Sequence, residues 1–293
     1  MIYNLKWPLP TKSSNTLKAI LFIVLWCGLI STGNQYFDNI FSYYLFSFLG
    51  VIGAIFANST GAGGGVIFIP FFNQLNFSES QSVATSFAIQ CFGMTAGAVT
   101  WFYHYKNHKT SLKLWCGFKR IITITSIASI LAVWYVFLSN TPSPASLHIS
   151  FSYFSLLLGF CIIFTVLLTK PLRERSQLYI YDYIMLILIG VFGGAITAWL
   201  SVGVGELLVI YLLLRRFDVT MAVAAAVIVS AISVWFSINH VKADVYWQVI
   251  IFAGPSAVLG GIFAKIVVTY LSARKLKLFF AFWLLISGGF GLI

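Results

Sequence analysis

Acidic residues are nearly missing from this chain. Seven Asp and Glu stand against 18 Lys and Arg in 293 residues, and charged residues of both signs make up only 9%. A soluble domain averages about a quarter charged residues, so a chain this poor in charge cannot solvate itself as one. No HExxH, no GxSxG and no carboxylate pair placed for acid–base work occurs, which argues against an enzyme. The four cysteines, Cys27, Cys91, Cys116 and Cys161, each stand alone in or beside an apolar stretch. With no C-x-x-C or zinc spacing they read as small buried hydrophobes. His104 and His108 are four apart, but they lie in a Lys-rich loop without a third ligand, and metal binding is the lesser reading. No cofactor and no metal is implied.

What the chain has instead is hydrophobic length: 60% of its residues are apolar. A helix needs about 20 apolar residues to cross a bilayer. Reading apolar runs against polar breaks gives eleven segments: Leu17–Gly33, Ile40–Asn58, Val66–Leu75, Ser80–Tyr103, Gly117–Leu138, Leu147–Leu168, Tyr179–Leu200, Leu207–Leu214, Val219–Asn239, Val245–Tyr270 and Leu276–Ile293. The fold class is an all-α polytopic membrane protein, with the lipid bilayer as its solvent. The first run lacks a small-x-small cleavage site and leads into more membrane, so it reads as a retained helix. The net charge of +11 does not point to nucleic acid, because the basic residues sit in short loops beside the spans, where they set topology.

Positive residues favour the cytoplasmic side. Lys6, Lys12 and Lys18 precede the first helix and place the N-terminus inside. The later clusters run from Lys106 to Arg120, Lys170 to Arg175, Arg215 and Arg216, and Lys265 to Lys277. If both short segments, Val66–Leu75 and Leu207–Leu214, cross the membrane, 17 of the 18 basic residues are cytoplasmic and Lys242 alone is outside. The C-terminus is then periplasmic. The chain divides into residues 1–39, the cytoplasmic N-terminus and first helix; residues 40–175, a first five-segment repeat; and residues 176–293, a second repeat. Five being odd, the second is inverted. Gly63, Gly65, Phe77, Val83 and Ala84 match Gly203, Gly205, Phe217, Val223 and Ala224 at one offset of 140.

Each short segment follows a glycine break: Ser59-Thr60-Gly61-Ala62-Gly63-Gly64-Gly65 and Trp199-Leu200-Ser201-Val202-Gly203-Val204-Gly205. Paired interrupted segments in corresponding places point to a binding site in a duplicated transporter. Extended backbone cannot face lipid, so it lines a cavity or is buried in protein. The half-helix that follows offers free N–H groups and a positive dipole end, and two such ends arriving from opposite sides make an anion cradle. Gly61, Gly63, Gly64 and Gly65 form an open cradle on this reading, with Pro70 near the first turn, and Gly203 and Gly205 form the second end. Glycine also serves close helix packing, which is how Gly93 and Gly97 are read.

Glu206 is the one carboxylate placed near mid-membrane, where an acid is by default a functional residue. It carries a coupling proton, or it fills the anion's place at the helix end; both follow from its position. Thr85, Ser86 and Gln90 follow the first break and Ser230 matches Gln90 by offset. These four hydrogen-bond a sulfonate or join helices. Asn58 and Asn239 are weaker candidates. Asp182 and Asp218 read as solvated span ends or ion-pair partners, and Trp7, Trp115 and Trp247 as interfacial aromatics.

Gly61-Ala62-Gly63-Gly64-Gly65-Val66-Ile67-Phe68-Ile69-Pro70 with Ser82-Val83-Ala84-Thr85-Ser86 resembles the signature of the TauE/SafE sulfite-exporter family. Ser201 to Glu206 resembles its second glycine motif, and Gly254-Pro255-Ser256-Ala257-Val258-Leu259-Gly260-Gly261 its later Gly-rich helix. The second motif departs from the pattern at Val204, Glu206 and Ile210. The resemblance implies a secondary transporter of small anions, sulfite or organosulfonates, in a bacterial inner membrane. An anion channel and a non-transporting membrane assembly factor are the alternatives, and neither requires twin broken helices.

Overall fold

In the computed structural model of the chain, residues 21–28, 31, 42–107, 115–143, 145–168, 175, 177–270 and 273–290 are described. Among them every regular element is helical. A helical stretch over residues 21–28 precedes α1 (Phe46–Thr60), α2 (Gly65–Gln74), α3 (Glu79–Asn107), α4 (Phe118–Leu138) and α5 (Leu147–Leu168). There follow α6 (Ile180–Leu200), α7 (Val204–Leu214), α8 (Val219–Val241), α9 (Trp247–Tyr270) and α10 (Ala273–Phe290), with a 3₁₀ turn at Lys242–Asp244. Five of these helices are long and apolar enough to cross a bilayer: α3, α4, α6, α8 with its 3₁₀ turn, and α9. Large apolar side chains such as Phe160, Phe164, Ile184 and Phe192 stand outward on α5 and α6. An apolar exterior of that extent suits lipid and not water. The chain is a multi-pass membrane protein.

The two short helices each run back along the helix before them. Phe46, at the start of α1, meets Phe71 and Phe72, at the end of α2, with ring centroids 6.1 and 6.5 Å apart. Both ends of this pair therefore lie at one end of the bundle. In the second half, Arg215 after α7 and Tyr211 within it bond Asp182 at the start of α6. Gly203 sits against Gly193, and the Val204 N–H donates to Thr197 Oγ1 at 3.0 Å, so α7 returns alongside α6. Each broken segment is thus the tip of a helical hairpin. Reversal at the first tip is made by Gly61, whose φ of +82° caps α1 in the left-handed region. Ser201 does the same after α6 at φ +60°.

Proline enters two helices at interior positions, and in both a tryptophan takes up the freed carbonyl. Pro70 lies within α2 and not in its first turn, and it lacks the N–H that would bond Val66 O. Trp283 Nε1 of α10 donates to Val66 O at 3.4 Å. Pro255 in α9 leaves Ile251 O free, and Trp26 Nε1 donates there at 2.8 Å. Buried backbone oxygens in a membrane have no water to turn to, so each indole replaces a ladder bond.

Packing follows small residues. α1 lies on α9 where Gly50 meets Ala253 and Ser256 and Gly260 meets Val51 and Ala54; α6 lies on α4 where Gly190 and Gly194 meet Thr125, Ala128 and Ser129. Gly93 and Gly97 of α3 do pack closely, against Ala54, Ala257 and Asn58. The remaining principal contacts pair α3 with α9, α8 with α4, α3 with α8, and α5 with α10. Exchanging α1–α5 for α6–α10 in order leaves this set of principal pairings unchanged.

Candidate functional site

The tips of the two hairpins meet at one carboxylate. Glu206, in the first turn of α7 and with no solvent exposure, reaches back so that its Oε2 accepts the Gly203 N–H at 2.8 Å. An acid three residues into a helix often caps its own N-terminus in this way. Its other oxygen does something the local sequence does not require. Oε1 accepts the Gly63 N–H of the opposite tip at 2.7 Å, across 143 residues of chain. A single carboxylate caps both broken ends.

The next donor of the first tip, the Gly64 N–H, goes to Gln90 Oε1 of α3 at 2.8 Å. Gln90 Nε2 in turn donates to Ser86 Oγ at 3.1 Å, to Ser201 Oγ at 2.8 Å and to Ser201 O at 3.2 Å. Ser201 Oγ donates to Ser86 Oγ at 2.9 Å. Gln90 and Ser86, one turn apart on α3, thereby hold both tips at once. The tips are also in backbone contact. A Cβ on Gly65 would sit 2.6 Å from Ser201 O, and one on Gly205 would sit 2.5 Å from Gly61 O.

One polar group at the site is left over. Ser230 Oγ, at the midpoint of α8, is buried with the residue 3% exposed and has no hydrogen-bond partner. It faces the first turn of α7, since a Cβ on Gly205 would come within 2.3 Å of it. Buried hydroxyls are nearly always paired, and an orphan aimed at a helix N-terminus has the chemistry of a donor awaiting an acceptor. An anion here would be held by N–H and O–H donors and two helix dipoles.

The structure gathers Gly63, Gly64, Gly65, Ser86, Gln90, Gly203, Gly205, Glu206 and Ser230. It corrects the expectation of an open cradle at Gly63–Gly65: Glu206 and Gln90 already take its N–H groups. Gly61 contributes only its turn and its carbonyl. Thr85 is not in the cluster, because its Oγ1 accepts the Tyr246 N–H at 3.0 Å toward the bundle end. Sequence reading missed Ser201 and Thr197. Ser201 had a signal, since it occupies the offset of Gly61 and so had to turn the chain there.

Elsewhere, Asp182 and Asp218 are partnered. Asp182 is fully buried and paired to Arg175 and Arg215, while Asp218 caps α8 through the Met221 N–H. Asn58 pins α1 to α3 by donating to Gly93 O at 3.2 Å. Asn239 is exposed and bonds back to Trp235 O. Trp115 is buried in a ring cluster with Tyr105 and Phe118, whereas Trp247 is exposed. Cys91 is buried as expected, but Cys27, Cys116 and Cys161 are exposed. No cluster of three metal-ligating side chains occurs among the described residues; His108 and Trp7 lie outside them.

Comparison with known families gives a match. The profile of the family described as Sulfite exporter TauE/SafE matches residues 45–290, which takes in both hairpins and every residue of the site. No curated protein and no solved structure matches the chain.

Proposed function

Because the chain belongs to the TauE/SafE sulfite-exporter family, we propose that it is a secondary transporter, not an enzyme, carrying small anions such as sulfite or organosulfonates between two inverted five-helix units. The units are residues 40–175 and 176–293, behind an N-terminal segment of residues 1–39. The carrying observation is the meeting of two helix N-terminal ends on one buried anionic group, with a spare hydroxyl beside it. The substrate binds there, near the middle of the membrane, through Gly63, Gly203 and Ser230, with Ser86 and Gln90 holding the tips in register. Gly61, Gly65 and Gly205 let the backbones approach, and Glu206 couples anion movement to protons.

The membrane is the bacterial inner membrane, with the N-terminus cytoplasmic and the C-terminus periplasmic. The antiparallel pairing of α1 and α2 fits that assignment, as such a pair leaves all later loops on the same side whether or not it crosses fully.

Purified protein in proteoliposomes is expected to give saturable sulfite or sulfonate flux that responds to an imposed pH gradient. Absence of anion-dependent flux and of anion binding in a thermal-shift series would overturn the proposal. Ser230→Ala supplies a sharper check. The hydroxyl has no partner in the fold, so melting is expected to stay within about 0.5 kcal/mol of the parent. Its loss removes one substrate hydrogen bond of about 1 kcal/mol, so KM is expected to rise about fivefold.

A further inference from the structure

We infer that the ionised Glu206 side chain is a tethered competitor for the substrate, so that anion binding at the tips requires Glu206 to take up a proton. The inference rests on the proposed function and assigns the regulation of that same site. The Gly63 and Gly203 N–H groups have one occupant, the carboxylate, at 2.7 and 2.8 Å. Both lengths suit strong N–H···O bonds, and a planar carboxylate and a pyramidal sulfo group each offer oxygens to such donors. A second anion reaching the same N–H pair would lie against the first in a buried site, where like charges repel strongly. The two are mutually exclusive while Glu206 is charged.

Protonation changes what Glu206 offers. A neutral carboxyl is a poorer acceptor for the two N–H groups and gains an O–H donor of its own. Substrate oxygens can then take the Gly63 and Gly203 N–H groups, with the Glu206 O–H and the unpartnered Ser230 Oγ as further donors. Ser230 is the independent pointer: its hydroxyl is buried, aimed at the first turn of α7, and unsatisfied while the carboxylate is in place. The site is complete for an added anion and incomplete for the tethered one.

The surroundings leave Glu206 as the group that titrates there. Neither α1 nor α2 carries an ionisable side chain. From α3 the facing groups are the neutral Gln90 and Ser86; Cys91 is next to Gln90, Glu79 begins the helix, and His104 and Lys106 are in its last turn. From α6 it is Thr197, with Asp182 in the first turn, held by Arg175 and Arg215. From α8 it is Ser230, with His240 in the last turn. Tyr211 on α7 is bonded to Asp182, and α5 brings Tyr153 and Cys161, both at the outer surface. None of these ionisable groups is hydrogen-bonded to Glu206 among the described residues.

The test uses methanesulfonate, a strong-acid anion that does not itself titrate between about pH 5 and 8, with the purified full chain in detergent. Calorimetric titration is expected to show affinity falling up to tenfold per pH unit once Glu206 is ionised in the free protein. Repeating it in two buffers of different ionisation heat is expected to show uptake of up to one proton per anion. In Glu206→Gln, which stays neutral, affinity is expected to be flat with pH and proton uptake absent. Binding by the parent with no pH dependence and no proton uptake overturns the inference, and with it the coupling role of Glu206, while leaving anion transport at the tips standing. The same slope persisting in Glu206→Gln also overturns it. No binding by either protein at any pH overturns the proposed function itself. The proton-uptake measurement needs no variant, so the inference stays testable if Glu206→Gln does not fold.

Discussion

Gly205→Ala is expected to abolish transport and to lower the stability of the purified protein by about 1–3 kcal/mol, the usual range for overpacking a filled interior. The added Cβ would stand 2.3 Å from Ser230 Oγ and 2.5 Å from Gly61 O. The serine hydroxyl has no partner and can rotate away. The Gly61 carbonyl cannot, because it belongs to the left-handed turn that caps α1. The tips must therefore part by on the order of 1 Å to restore ordinary van der Waals contact, which stretches the Glu206–Gly63 bond that joins them. Gly65→Ala is expected to do the same from the other side, with its Cβ 2.6 Å from Ser201 O and 2.7 Å from Val202 Cγ1. Gly289→Ala is the control: nothing lies within 4 Å of its Cβ position, and neither melting nor flux should change. Parent-like melting and flux in Gly205→Ala would show that the tips do not meet as described.

The order and extent of the helices were readable because apolar run length and polar breaks are local. Segment Leu147–Leu168 is α5 at both ends, and Gly117–Leu138 and Tyr179–Leu200 each differ from α4 and α6 by one residue. The depth the short segments reach was not readable, and the reason lies in what basic residues report. They mark the side of a loop, so they count crossings only as odd or even. A crossing pair and a hairpin that enters and leaves by one face are the same to that count. The meeting of the two tips, as in the bond from Gly63 to Glu206, joins residues whose pairing no periodicity encodes.

The site was legible to a similar depth. Glycine breaks at equal offsets identified both tips, and the lone acid identified Glu206. That Glu206 caps the far tip was hidden, because its partner Gly63 is 143 residues away and only the meeting of the two halves brings them together. The duplication itself misled at one point. Glu206 takes the offset of Val66, so symmetry suggested that the first tip lacked an acid and stood open. The second half supplies the acid for both.

Asymmetry also marks the bases of the two hairpins, and it carries the other large effect. The α1–α2 base is held by rings, with Phe46, Phe71, Phe72 and Phe77 in contact and Tyr246 beside them. The α6–α7 base is held by one buried acid. Asp182 Oδ2 accepts Arg175 Nη2 at 2.6 Å and the Tyr179 N–H at 2.7 Å, and Oδ1 accepts the Tyr211 hydroxyl at 2.6 Å and Arg215 Nε at 3.1 Å. Asp182→Ala removes the acceptor of four donors together. Breaking a buried ion pair from one side costs about 3–5 kcal/mol. Here the two guanidinium side chains are 17% and 31% exposed and can turn toward water, so the expected loss is at the lower end, about 3 kcal/mol. Tyr211→Phe removes one bond and is expected to cost about 1 kcal/mol. Asp182→Asn belongs between them, as its amide keeps one acceptor but turns an N–H₂ toward donors. Thermal unfolding in detergent checks the order Ala, Asn, then the tyrosine variant. Because α7 carries Glu206 at its other end, a loosened base is expected to blur the tip contacts, and flux in Asp182→Ala should fall even below its melting transition. Parent-like melting in Asp182→Ala would mean that the hairpin is held by its lipid-facing packing and not by its charged base.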